Sequence, residues 1–200
     1  MKPIAHETVS ELLNNLAAAT PAPGGGAAAA LIGATAAALV EMVAGLSLKK
    51  VTTGPDSDLQ QATLKSMAEA RAHLLTLADD DAAAYDAFIQ ATRLPKGEQH
   101  ERDIRAQAIS VAAERAAEIP LESLRVITAV AESAHRLTGR SLISTASDLE
   151  VARRFARASG LSAAENVEVN LPFIDDPERR SSYASGAAAA IALLERATQA

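Results

Sequence analysis

Two hundred residues carrying a formal net charge of −6, with a pI near 5.3, exclude a sequence-independent nucleic-acid binder, which needs a basic face to neutralise phosphates. The absence of cysteine excludes disulfides, thiolate catalysis and Cys-ligated zinc or iron–sulfur centres. Apolar residues make up 48% of the chain and aromatics only 2%, so its core must come from alanine and close backbone approach rather than from large side chains.

Residues 1–16 carry Glu7 and Glu11 and lack the apolar centre of a signal peptide, so a cytoplasmic protein is expected. Strand signals are nearly absent, and helix-forming blocks alternate with short breakers. The pattern predicts a first helix over Pro3 to Leu16. The stretch "TPAPGGGAAAALIGATAAALVEMVAGL" follows, from Thr20 to Leu46, with Glu41 as its single charge. A helix over Gly26 to Lys50 is expected there. Pro21 to Val40 is uncharged for about the length of a spanning helix. Its prolines, glycines and weakly partitioning alanines instead point to a buried central helix, with no membrane partner.

Gly54-Pro55-Asp56 breaks the chain before a long third helix, Ser57 to Thr92. Pro95-Lys96-Gly97 reads as a turn. A fourth helix is expected over Glu98 to Glu118. Pro120 then opens a fifth that ends near Gly139. A sixth runs from Ser147 to Ser159 with Gly160 as its stop, and the last covers Asp175 to Thr198. "NVEVN", Asn166 to Asn170, alternates like a short strand but stands isolated. The expectation is an all-α, single-domain, up-and-down helical bundle over residues 1–200, built around a central Ala-rich helix.

Asp81 stands out on the third helix. Met67, Leu74, Ala78, Tyr85 and Phe88 fall on one apolar stripe at helical spacing, and Asp81 shares it, whereas Asp79 and Asp80 point towards water. A carboxylate is costly to bury unless it is paired or used. The stripe therefore predicts either a buried ion pair or a perturbed acid–base group. Ser147-Asp148-Leu149-Glu150 fits a capping box, and capping is the reading that pattern favours. Asn166 and Asn170, four apart, share a face and suit either a solvated surface or the edge of a heterocycle. His6, His73, His100 and His135 lack metal-ligand spacing and read as surface residues. "PGGGA" opening a helix can hold an anion on free N–H groups, though that signal is weak alone.

Several of these motifs, in order, resemble the C-terminal domain of formiminotransferase-cyclodeaminase and the stand-alone methenyltetrahydrofolate cyclohydrolases. The match rests on T-P-A-P-G-G-G with the long helix after it, and on "DAAAYDAFIQATRLPK", where Asp81, Ala84, Tyr85, Pro95 and Lys96 fit the family pattern. Arg105, "IPL" at Ile119 to Leu121, Ser147-Asp148 and "NVEVN" complete it. The resemblance implies a homodimeric all-α bundle acting on tetrahydrofolate derivatives. It places Gly24, Gly25, Gly26, Asp81, Ser147 and Asp148 around the folate cleft.

The implied reaction is hydrolysis of 5,10-methenyltetrahydrofolate to 10-formyltetrahydrofolate, with no metal or added cofactor. Asp81 is the expected catalytic carboxylate and Asp148 its assistant. Lys49, Lys50 or Arg105 would suit the anionic glutamate tail, and Asn166 and Asn170 would help bind substrate. Two alternatives stay open: cyclodeamination of 5-formiminotetrahydrofolate with release of ammonia, and a non-catalytic helical protein that binds folate or a partner. Two departures from the family pattern motivate the latter. "LKKVTTGP" follows the second helix, and "GRSLISTA", Gly139 to Ala146, lacks the asparagines usual before Ser-Asp.

Overall fold

The computed structural model describes residues 3–50 and 52–199. Six α-helices account for most of them: α1 Val9–Ala17, α2 Gly25–Leu48, α3 Pro55–Thr92, α4 Gln99–Leu137, α5 Ala146–Glu168 and α6 Pro177–Thr198. No strand occurs among the described residues. Short connections make successive long helices antiparallel, giving the up-and-down bundle that the sequence predicts.

Helix α2 packs against α3, α5 and α4. Ala27, Ala30, Ala36, Ala37, Val40, Val43 and Ala44 are fully buried. Gly33 lets α4 approach, because a Cβ there would stand 2.6 Å from Ile127 Cγ1. Its lone charge is satisfied: Glu41 Oε2 accepts a 2.9 Å bond from Arg71 Nε. Helix α2 is long and apolar enough to cross a membrane, yet over half of its apolar window is covered by neighbouring helices. Part of it remains open: Ala28, Ile32, Thr35, Leu39, Met42 and Leu46 form a stripe at three- and four-residue steps, with Ile32 41% and Met42 40% exposed.

Three helix boundaries differ from the sequence-based expectation. A 3₁₀ turn, Ile4–His6, precedes α1, whose true start is set by a capping box between Thr8 and Glu11. Helices four and five are one helix, α4, with Pro120 inside it; burial of Ile119, Pro120 and Leu121 outweighs the lost backbone bond. Helix α5 passes straight through Gly160 to Glu168. That glycine is a packing contact rather than a stop, since a Cβ would collide with Leu194 of α6. "NVEVN" is the end of α5 and the turn after it, not a strand.

The ends of the bundle are well separated. Gly25 of α2 faces Asn166 of α5 at one end. At the other, Ser47 Oγ accepts from Leu142 N at 3.1 Å, Gln60 Nε2 donates to Arg140 O at 2.7 Å, and Arg140 pairs with Asp56 at 2.8 Å.

Candidate active site

A cleft of about 300 Å³ opens at the Gly25–Asn166 end. The glycine loop and the start of α2 form one wall, through Pro21, Ala22, Gly24, Gly25 and Gly26. Asp81, Tyr85 and Phe88 of α3 form another, and Ala116 of α4, Asn166, Asn170 and Phe173 close it. Phe88 and Phe173 meet edge to face with ring centroids 5.1 Å apart, making an apolar floor.

The loop enters α2 through Gly24, with extended dihedrals (φ −124°, ψ −153°) and a cis peptide bond between Ala22 and Pro23. None of Gly24, Gly25 and Gly26 has a positive φ. Their purpose is space. At Gly26 a Cβ would lie 2.6 Å from Asp81 Oδ2 and closer still to Oδ1. The carboxylate thus lies flat against the bare backbone of the first turn of α2. Gly25 has ordinary room: a Cβ there would sit 3.7 Å from Asn166 Nδ2, inside the cleft.

Burial pushes the Asp81 carboxyl above its ordinary pKa, and the Ala27 backbone N–H, at the positive end of α2, pulls the other way without cancelling the effect. No lysine or arginine pairs with Asp81 among the described residues. Its neighbours behave differently. Asp79, expected in water, is half-buried and accepts a 2.9 Å bond from Ile4 N. Asp80 reaches Arg115 at 3.5 Å. Of the two possibilities open at Asp81, the buried ion pair is therefore absent, and the perturbed carboxylate is what the fold presents.

Asn166 and Asn170 line the cleft. Asn166 Nδ2 donates to Ser162 O at 2.8 Å, and Asn170 Nδ2 donates to both Ala116 O at 3.0 Å and Asn166 O at 2.7 Å. The remaining residues named from sequence do not reach it within one chain. Ser147 and Asp148 lie in the first turn of α5, about 27 Å along the helix axis from Asn166. Ser147 is not the helix cap, because the N-cap is Thr145. Lys49 and Lys50 are exposed at the same far end. Arg105 donates to Thr92 O at 3.0 Å, about 16 Å beyond Asp81 along α3. The four histidines are exposed: His6 in the first turn, His73 on α3, and His100 and His135 at opposite ends of α4. Both departures from the family pattern also sit at the far end, with Val51 outside the described residues.

Sequence reasoning missed Phe173 and Ala116. "LPF" after "NVEVN" carries no periodic signal, and Ala116 is one alanine among several in the expected fourth helix, with nothing local to mark it.

Residues 8–189 match the formiminotransferase-cyclodeaminase family. The chain belongs to that family. It is 38% identical to the methenyltetrahydrofolate cyclohydrolase of Methylorubrum extorquens over 172 residues, which cover 86% of this chain and 82% of that protein. It is 30% identical to the formimidoyltransferase-cyclodeaminase of Mus musculus over 82% of this chain, but spans only 30% of that longer protein. The crystal structure of a formiminotetrahydrofolate cyclodeaminase from Thermotoga maritima superposes with a TM-score of 0.88 at 27% identity, over 98% of this chain and 94% of that one.

Proposed function

We propose that this protein is a folate one-carbon enzyme that hydrolyses 5,10-methenyltetrahydrofolate to 10-formyltetrahydrofolate at the Asp81 cleft. The observation that carries this reading is a desolvated carboxylate with no cationic partner among the described residues, laid against a glycine face in a largely apolar cleft. Such a site is short of one positive charge. The methenyl substrate is a delocalised amidinium cation and supplies it.

The chemistry follows from that pairing. A water attacks the bridging carbon, and Asp81 takes one of its protons as the carbon–oxygen bond forms. The resulting carbinol is neutral, and that first proton passes to solvent. The carbinol hydroxyl then gives up its proton as the carbonyl forms and the bond to N5 breaks. Asp81 accepts it and returns it to N5. Phe88 and Phe173 offer an apolar surface on which the substrate's ring can rest. Burial raises the Asp81 pKa above the ordinary carboxylate range, which makes it a better proton acceptor than a solvated aspartate.

The likeness to the Thermotoga cyclodeaminase favours a second reaction on the same carbon: N10 attacks a formimino group at N5 and ammonia leaves. Purified protein offered both substrates separates the cases. Loss of methenyl absorbance without ammonia supports the cyclohydrolase; ammonia release supports the cyclodeaminase. Tight folate binding without either supports the non-catalytic alternative.

The assembly is a two-fold homodimer in this account, formed on the open α2 stripe with Val151 and Phe155 of α5 beside it. Antiparallel pairing of the stripe would carry Lys49, Lys50, Ser147 and Asp148 of one copy to the Gly24–Gly26 end of the other. That arrangement would reunite the separated site residues. A cytoplasmic setting, substrate as the only small molecule needed, and no nucleic-acid or membrane partner complete the reading.

A further inference from the structure

Pro120 lacks an N–H, so the carbonyl four residues earlier in α4, Ala116 O, loses its helical donor. Asn170 Nδ2 fills that vacancy at 3.0 Å and spends its other hydrogen on Asn166 O at 2.7 Å. Both partners are carbonyl oxygens, which only accept, so the end of the amide facing them must be the NH2. The side chain cannot flip. Asn170 lines the cleft, and no donor among the described residues reaches its Oδ1. The amide therefore presents a single, fixed acceptor to whatever the cleft holds.

We propose that Asn170 is a specificity-determining residue, held by the Pro120-freed carbonyl so that its Oδ1 accepts the lactam N–H of a 2-amino-4-oxopteridine. It discriminates against ring systems that present a lone pair at that position. This rests on the folate reading above. A donor lost from a fixed, partly buried acceptor costs about ten- to a hundredfold in affinity. Ordinary amides that can rotate would accommodate either ligand; this one cannot.

The test is calorimetric binding at pH 8 of folic acid and of aminopterin, in which the 4-oxo group is an amine and the ring nitrogen beside it carries no hydrogen. The wild-type protein is expected to prefer folic acid at least tenfold. Asn170→Leu should bring the two affinities within about twofold. The ratio is read on folded protein, so a stability loss does not disturb it. Asn170→Ala serves if the leucine variant fails to fold. Equal binding of both probes by wild type, or a preference that survives in the variant, overturns the assignment of Asn170 alone. Binding of neither probe by wild type overturns the folate reading and this inference with it.

Discussion

The backbone of Gly26 and the carboxylate of Asp81 occupy a space that admits no side chain between them. This contact joins two motifs 55 residues apart and explains both. The carboxylate gains an N–H from the first turn of α2, and the glycine is required by the acid rather than by backbone conformation.

Gly26→Ala tests that relationship. The new methyl must displace Asp81, because the helix backbone behind it is packed against α3. Turnover should fall by about two orders of magnitude, while circular dichroism shows an intact helical fold. Gly25→Ala, whose methyl meets only ordinary contacts with Asn166, should keep most of the activity. Equal losses in the two variants would contradict the contact argument.

Asp81 also sets a pH dependence. Its folded pKa is raised by burial, so below about pH 4, where unfolded Asp is protonated, it imposes no penalty. As pH rises through the folded value, the native state must ionise a desolvated group, and stability is lost. Asp81→Asn removes this cost. Its melting temperature should match wild type near pH 4 and exceed it at pH 8. A variant less stable than wild type at pH 8 would show that the carboxylate is paired after all.

Pro120→Ala restores a donor to Ala116 O inside α4. It competes with Asn170 for that carbonyl and loosens the amide. Stability should hold or rise, since alanine suits a helix interior better, while affinity for folic acid falls several-fold. Unchanged affinity would separate Pro120 from the cleft.

Ile32→Glu places a charge on the open α2 stripe, where Ile32 is 41% exposed. Analytical ultracentrifugation should report a dimer for wild type and a folded monomer for the variant. If the dimer completes the site with Asp148 and Lys49 of the second copy, activity should fall with dimerisation. A wild-type monomer with full activity would confine the site to one chain.

Much of this was legible in the sequence. The all-α bundle follows from long helix-forming blocks and short breakers, and Asp81 from its place on the apolar stripe of Leu74, Ala78 and Phe88. The glycines pointed to close approach, though not to what approaches. Boundaries at Pro120 and Gly160 were misread for a shared reason. Local rules assign proline to a helix start and glycine to its end, but here the tertiary contacts of Leu121 and Leu194 decide. The orientation of Asn170 was invisible, because it depends on a carbonyl 54 residues away that only a mid-helix proline leaves free.

The most direct test of the account is Asp81→Asn, with turnover of 5,10-methenyltetrahydrofolate and melting temperature measured on the same sample at pH 8. Turnover should fall about a hundredfold to ten-thousandfold in a protein at least as stable as wild type. Wild-type turnover per folded molecule would contradict it.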